Sequence, residues 1–182
     1  PTNTPTAQTF VQIGMTFDSA VGNRSVIFAC MGGTASLCYV GPGAKFDSVA
    51  SDAFARAPIS VAGVIECIYV RLDTAPGLGF SRTFTVRVNG VNSALAVTIQ
   101  DGNVQNGTTG GTVTVSPGDL IDIECAVSGA ASSGANISLG FQPTTDGESP
   151  QFGTYTATLS ATGTVYNNAN GRQPSNASTE SD

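Results

Sequence analysis

Residues 83–99, with the sequence TFTVRVNGVNSALAVTI, decide the fold class of this chain. Apolar residues alternate with other residues on both sides of the pair Asn89-Gly90. The apolar positions are Phe84, Val86 and Val88 before the pair and Leu95, Val97 and Ile99 after it. A period of two places one set of side chains on one face of a strand, and Asn-Gly is a strong signal for a tight hairpin turn. The stretch therefore predicts an antiparallel β-hairpin with one buried face.

The same alternation recurs along most of the chain, and no helical stripe of useful length interrupts it. It predicts further strands within segments 11–17, 25–30, 36–40, 59–72, 113–115, 121–127 and 137–141. Short strands at intervals of about ten residues, separated by Gly, Pro and Asn turns, are typical of a sandwich or barrel. We therefore expect an all-β protein, and among such folds an antiparallel jelly-roll β-sandwich.

Local signals refine the strand prediction. Met31-Gly32-Gly33 indicates the turn of a hairpin that joins segments 25–30 and 36–40. The apolar register changes across Ala62-Gly63, which predicts a bulge within 59–72. Irregular structure is expected at 44–57, with at most a short turn of helix around 49–57, and in a polar loop at 101–111.

We divide the chain into an N-terminal arm at 1–9, a jelly-roll domain at 10–143, and a C-terminal strand and polar tail at 144–182. Within the last segment, residues 154–166 keep the strand period but have few large apolar side chains. A strand of this kind gains little from its own core, so we expect a partner to order it by strand addition. The first eight residues have neither the basic start nor the apolar run of a signal peptide.

Charge and composition exclude several classes of function. The 182 residues include 7 Lys and Arg against 13 Asp and Glu, no His, and only 11% charged residues. Nucleic acids and anionic membranes need clustered basic side chains, so neither partner is expected. The lack of His removes Ser-His-Asp and Cys-His catalysis and most zinc chemistry. We therefore expect no enzyme, no catalytic residue, no metal and no cofactor.

The four cysteines contain no CxxC pair, which argues against a zinc ribbon or a redox motif. They are Cys30, Cys38, Cys67 and Cys125. Because a free cysteine commonly behaves as a small buried hydrophobe, we expect four reduced structural thiols, with one disulfide as the alternative.

Between residues 60 and 142 the chain resembles a recurrent pattern of tailed-phage structural proteins. The matching residues are Gly63, Ile65, Tyr69-Val70-Arg71-Leu72, Thr74-Ala75-Pro76-Gly77, Thr83-Phe84-Thr85-Val86-Arg87-Val88-Asn89-Gly90, Val113-Thr114-Val115-Ser116-Pro117-Gly118-Asp119-Leu120-Ile121 and Leu139-Gly140-Phe141. The resemblance covers under half of the chain and carries no catalytic signature. It implies a jelly roll like those of tumour necrosis factor and complement heads, in a virion surface protein that is usually trimeric.

Two clusters of acidic or amide side chains allow a chemical interpretation. Asp122 and Glu124 share one face of a strand, about 6 to 7 Å apart, a separation at which glycosidase carboxylates work. We favour a solvated strand face, because no aromatic platform accompanies them. Residues 101–107 have some features of a calcium loop, but Thr112 stands where a bidentate Glu is required. Turn formation explains this loop better.

We predict seven partner contacts rather than an active site. Arg71, Arg82 and Arg87 are expected to point outward on neighbouring strands, where guanidinium groups suit the carboxylates and carbonyls of a protein partner. The alternative is ordinary surface charge. The other four predicted contacts are Phe10, Tyr155, Leu159 and Val165.

The resemblance and the composition together predict a capsid decoration (cement) protein that stabilises a phage head by bridging capsomers. Its partners would be the major capsid protein and neighbouring copies of itself in a homotrimer, on a capsid surface, after synthesis in the host cytoplasm. The alternative is the receptor- or glycan-binding head of a tail fibre or spike. The absence of heptads and of Trp favours the decoration protein.

Overall fold

The computed structural model describes residues 24–43, 49–108 and 110–152. These residues form ten strands and one short helix. The elements are β1 (Ser25–Thr34), β2 (Cys38–Val40), α1 (Asp52–Ala55), β3 (Ala57–Pro58), β4 (Gly63–Leu72), β5 (Gly77–Val88), β6 (Val91–Asp101), β7 (Gln105–Thr108), β8 (Val113–Val115), β9 (Leu120–Ser128) and β10 (Ser133–Pro143). The predicted strand at 11–17 and the predicted strand at 154–166 lie outside the described residues.

The strands form two antiparallel five-stranded sheets. The first sheet has the order β1-β10-β4-β7, with β8 also paired to β4. The second sheet has the order β2-β9-β5-β6, with β3 also paired to β9. The pairing is nested along the chain, because β1 pairs with β10, β2 and β3 with β9, β4 with β7 and β8, and β5 with β6. A long antiparallel ribbon rolled up in this way is a jelly roll, and the predicted all-β jelly-roll sandwich is confirmed.

The hydrophobic core lies between the two sheets. Alternate residues of most strands point inward, and the large apolar side chains that are fully buried include Phe84, Phe141, Met31, Ile65, Ile68 and Ile123. Burying such a side chain stabilises the fold by roughly 1.5 to 3 kcal/mol relative to leaving it exposed. The period-two pattern read from the sequence is therefore the pattern of contact between the sheets.

The hairpin predicted at residues 83–99 is formed by β5 and β6. Asn89 and Gly90 both have positive φ, 53° and 81°, as a type I′ turn requires. This turn matches the right-handed twist of the flanking strands, and Asn and Gly adopt the conformation at least cost. The predicted short turn of helix is likewise confirmed as α1.

The hairpin predicted at Met31-Gly32-Gly33 is wrong. β1 runs through both glycines to Thr34 and pairs with β10 in the first sheet, whereas β2 pairs with β9 in the second. Met31 is 1% exposed and packs in the core. The Gly-Gly pair thus lies within a strand, and the chain crosses from one sheet to the other after it.

The positions predicted for the bulge and for one loop are also wrong. Gly140 pairs with Cys67 and Phe141 with Ile65, so Glu66 is the extra residue, and the bulge lies there rather than at Ala62-Gly63. The extra residue accounts for the change of apolar register within β4. The expected polar loop at 101–111 contains β7, a polar edge strand that pairs with β4.

Candidate partner-contact surface

The outer face of the first sheet carries a groove of about 580 Å³. Two rows of cross-strand neighbours form its floor. Phe28, Ser138, Tyr69 and Gly107 make one row, and Asn136, Arg71 and Gln105 make the next. We call this surface the first-sheet groove. Among the predicted contact residues that the structure describes, Arg71 lines this groove.

Two aromatic side chains dominate the first-sheet groove. Phe28 is 59% exposed and Tyr69 is 50% exposed. A Cβ atom added at Gly107 would lie 2.0 Å from Cδ1 of Tyr69, so the phenol ring lies directly over the backbone of β7. Gly107 therefore makes room for the ring of Tyr69, and the ring face that points away from β7 is open to solvent.

The polar groups around these rings are mostly amides. Asn106 donates a hydrogen bond from Nδ2 to the carbonyl of Thr98 at 2.7 Å and accepts one from the amide of Gly107 at 2.8 Å. These bonds fix β7 beside Tyr69. Asn136 and Gln105 are exposed on β10 and β7, the strands on either side of β4. The groove thus pairs aromatic area with hydrogen-bonding groups, and no carboxylate is among the residues that line it.

Arg71 is exposed and lines the first-sheet groove, as its predicted outward position requires. It supplies the charge of the groove. A surface that combines an arginine with two exposed aromatic rings has the composition that is enriched at protein interfaces. Of the three predicted arginines, the structure places Arg71 alone at this surface.

The predicted exposure of Arg87 is wrong. Arg87 is on the outer face of the second sheet but only 6% exposed, because α1 lies over it. Its Nη1 is 3.1 Å from Oδ1 of Asp122, and its Nη2 is 3.0 Å from Oδ2 of Asp52. Its guanidinium also lies over the ring of Tyr39, 4.8 Å from the centroid. Arg87 is therefore engaged within its own subunit.

The solvated strand face expected at Asp122 and Glu124 is wrong for Asp122, which is fully buried. Arg56 completes the group, with an ion pair to Asp52 and its Nε 3.7 Å from Oδ2 of Asp122. We call Asp52, Arg56, Arg87 and Asp122 the ionic cluster. Burial raises the pKa of Asp122 against the opposing charge of Arg87, whereas the hydrogen bond from Arg56 lowers the pKa of Asp52.

The predicted outward position of Arg82 is wrong. Arg82 has the same strand parity as Phe84 and Val86, points between the sheets, and is 0% exposed. Its Nη2 donates to the carbonyl of Ala131 at 2.5 Å and also to the carbonyl of Thr34. It therefore ties the β1–β2 corner to the β9–β10 connection at one end of the sandwich.

The remaining predicted residues give no further contact at this surface. Phe10, Tyr155, Leu159 and Val165 lie outside the described residues. Asp101, from the calcium-like loop, has a positive φ of 57° and accepts a hydrogen bond from the amide of Gly79 at 2.8 Å. Within residues 24–43, 49–108 and 110–152, no three His, Cys, Asp or Glu side chains are arranged to hold a metal ion.

Sequence reasoning missed Phe28 and Tyr69 as surface residues. Each lies between two inward apolar neighbours, Phe28 in Ile27–Ala29 and Tyr69 in Ile68–Val70, at a position where a one-faced strand normally carries a polar side chain. An aromatic residue out of phase on two strands is the signal that could have identified the groove. Their adjacency required the strand order, which a single sequence does not show.

No protein-family model and no curated protein matches this chain. The solved structure of a GH26-CBM35 β-(1,4)-mannanase from Podospora anserina is similar to it, with a TM-score of 0.36 and 12% identity. That similarity covers 71% of this chain and 29% of the mannanase chain, so the chain spans less than a third of that protein. A likeness at this level supports no statement about function. No helix among the described residues has the length and apolar character needed to cross a membrane.

Proposed function

We propose that this protein is a capsid decoration protein of a tailed phage, made in the host cytoplasm and bound to the capsid surface as a homotrimer. The resemblance of residues 60–142 to tailed-phage structural proteins supports the proposal. The jelly roll agrees with the fold that the resemblance implies. A chain with only 11% charged residues also suits a protein packed against neighbours.

The observation that carries the proposal is the composition of the first-sheet groove. Phe28 and Tyr69 are large, exposed and adjacent across β10, and Arg71 lies in the next row. Tyr and Arg are the residues on which binding energy at protein interfaces concentrates. We assign this surface to the contact with a second copy of the chain. On the second sheet, the ionic cluster and α1 cover part of the outer face.

Attachment to the shell is assigned to the segments at the two ends of the chain. Residues 1–9 are polar, and residues 154–166 have strand periodicity with little bulk to bury. Segments of this kind gain order when a partner supplies hydrogen bonds and apolar surface. Three such pairs of ends on one trimer would bind the major capsid protein with an avidity well above that of a single pair.

The test is decoration of phage particles that lack the protein. We expect a chain truncated after Phe152, which keeps the packing of that ring against the core, to remain a soluble trimer that melts about where the full chain does but no longer binds particles. Deletion of residues 1–9 is expected to weaken binding in the same way. Binding of both truncated forms with full affinity would contradict attachment through the ends.

The glycan-binding head of a tail fibre is the second candidate, and the same groove favours it. Asn106, Asn136 and Gln105 place amides beside the exposed ring of Tyr69, an arrangement that can bind sugar hydroxyls and stack a sugar face. A glycan array distinguishes the two functions. Specific glycan binding that is lost in Tyr69→Ala, with no binding to capsids, would replace the decoration function by this one.

A further inference from the structure

Three sulfur atoms meet in the core beneath the β1–β2 corner. Cys38 and Cys125 are direct cross-strand partners on β2 and β9. The thiol of Cys38 donates to Sδ of Met31 at 3.4 Å, across from the first sheet. All three residues are at most 3% exposed. The arrangement is a compact, dry group of two thiols and one thioether, which we call the sulfur cluster.

The guanidinium group of Arg82 lies against the sulfur cluster. Its Nη1 is 3.8 Å from Sγ of Cys125, and its Nη2 binds only backbone carbonyls. Among the described residues, no carboxylate forms an ion pair with Arg82, and its buried Nε has no hydrogen-bond partner. Burial of a charge without a counter-charge is costly, so the site favours an anionic neighbour.

The nearest group that can become an anion is the thiol of Cys125. The guanidinium of Arg82, with its Nη1 3.8 Å from Sγ of Cys125, favours the thiolate over the neutral thiol. Thiolate is the form in which cysteine binds metals. The arginine thus supports the ligand form of a residue that already lies beside two other sulfur ligands.

We propose that Cys38, Cys125 and Met31 form a binding site for one soft monovalent cation of the Cu(I) class, with Arg82 as the balancing charge. Thiolate and thioether are the ligands that select Cu(I). When the ion binds, both thiol protons leave to solvent, and two thiolates, one monovalent cation and one guanidinium sum to zero charge. A divalent ion would leave a net positive charge in a buried site that has only three ligands.

The sequence did not point to this site because Cys125 is far along the chain from Met31 and Cys38 and because the ligands include no His. The expectation of no metal rested on the lack of Cys and His spacing motifs. The strand order brings residues 31, 38 and 125 together at one end of the core. Leu37, next to Cys38, is half exposed, so the sulfur cluster lies close to the surface along the chain.

The test uses the full chain with Cys30→Ser and Cys67→Ser, which removes the two cysteines outside the sulfur cluster. The reduced protein is titrated without oxygen with Cu(I) supplied as its acetonitrile complex, in competition with a chromogenic Cu(I) chelator. We expect one bound equivalent per chain and a rise in the thermal midpoint. Absence of uptake by this parent protein would overturn the proposal.

Variants of the cluster give the specificity of the result. Cys38→Ala and Cys125→Ala are each expected to weaken binding by at least about 100-fold, and Met31→Leu by less. Arg82→Gln is expected to weaken it by roughly 10- to 100-fold, whereas Arg82→Lys keeps the charge and most of the affinity. Circular dichroism of each metal-free variant identifies those that fold. Retention of parental affinity in folded Cys125→Ala would contradict the site.

Discussion

The outer faces of the two sheets differ in how their side chains are satisfied. On the second sheet, Arg87 and Asp122 are cross-strand partners and are covered by Asp52 and Arg56 from the α1 segment. On the first sheet, Phe28 and Tyr69 remain open to solvent. The ionic cluster covers Arg87 and Asp122 on one face from within the subunit, whereas the first-sheet groove leaves Phe28, Tyr69 and Arg71 open on the other.

The comparison shows that an outward position on a strand does not by itself make a side chain available to a partner. Arg87 and Arg71 both occupy outward positions, yet α1 covers the first and leaves the second exposed. The difference comes from Asp122, since a buried carboxylate requires cationic partners and draws two arginines over the sheet. The second-sheet arginines therefore serve folding, and the first-sheet arginine is free to serve association.

The largest effect is expected from breaking the closed face. Asp122→Ala leaves Arg87 without its buried partner, so we expect the free energy of unfolding to fall by about 3 to 5 kcal/mol. The matched control is Glu66→Ala, which removes an ion pair to Arg24 whose side chains are 31% and 56% exposed and is expected to cost about 0 to 1 kcal/mol. Urea denaturation measures both. Equal losses in the two variants would show that the ionic cluster does not hold the second face.

A smaller effect is expected from disturbing the open face at Gly107. An added methyl group meets the ring of Tyr69, so Gly107→Ala must displace the ring and is expected to cost roughly 1 to 3 kcal/mol while weakening self-association. Gly102→Ala, where a Cβ meets no atom within 4 Å, is the control and should leave both quantities unchanged. Calorimetry and dilution light scattering report the two effects. An unchanged dissociation constant of the trimer in Gly107→Ala would show that self-association does not depend on the position of the Tyr69 ring.

The smallest expected effect is the dependence of the free energy of unfolding on pH. The hydrogen bond from Arg56 lowers the pKa of Asp52, and those from Asn89 and the backbone of Ser116 lower the pKa of Asp119. A lowered pKa in the folded state stabilises the protein above the unfolded pKa near 3.8, and this stabilisation is lost as the pH falls through the folded value. The raised pKa of Asp122 acts in the opposite direction and offsets part of the loss.

We therefore expect the urea midpoint to fall below about pH 4, with a weaker dependence in the double variant Asp52→Asn and Asp119→Asn. Phe28→Ala, in the first-sheet groove, removes no titratable group and should keep the parental pH dependence of the urea midpoint. Identical profiles for the parent and the double variant would mean that these carboxylates do not set the acid stability.

The parts of the fold that depend on local signals could be predicted from the sequence. The β5–β6 hairpin follows from Asn89-Gly90 and the alternation around it, because turn and strands are adjacent in the chain. Gly32-Gly33 led to a wrong prediction of a turn, because a Gly-Gly pair also occurs within strands. The buried position of Met31 in the structure shows that this pair belongs to a strand. The candidate site depended on which strands are neighbours, so Phe28 and Tyr69 could not be brought together in advance.

The arginines show the same limit in electrostatic terms. The sequence gives the parity of Arg82 relative to Phe84, but a buried arginine at an inward position requires carbonyls at the end of the sandwich to receive it. The cover over Arg87 comes from Asp52, 35 residues earlier in the chain. Neither partner lies close to its arginine in the sequence, so the charge of each side chain suggested a surface role, against the inward parity of Arg82.

The central claim is that the first-sheet groove is the contact between copies, and sedimentation equilibrium of three proteins tests it most directly. Thr98→Arg adds a charge at an exposed position on the outer face of the second sheet, and Tyr69→Arg adds one in the groove. We expect the parent and Thr98→Arg to sediment as trimers at micromolar concentration and Tyr69→Arg as a folded monomer. A trimer that persists in Tyr69→Arg, or a parent that is already monomeric, would contradict the assignment.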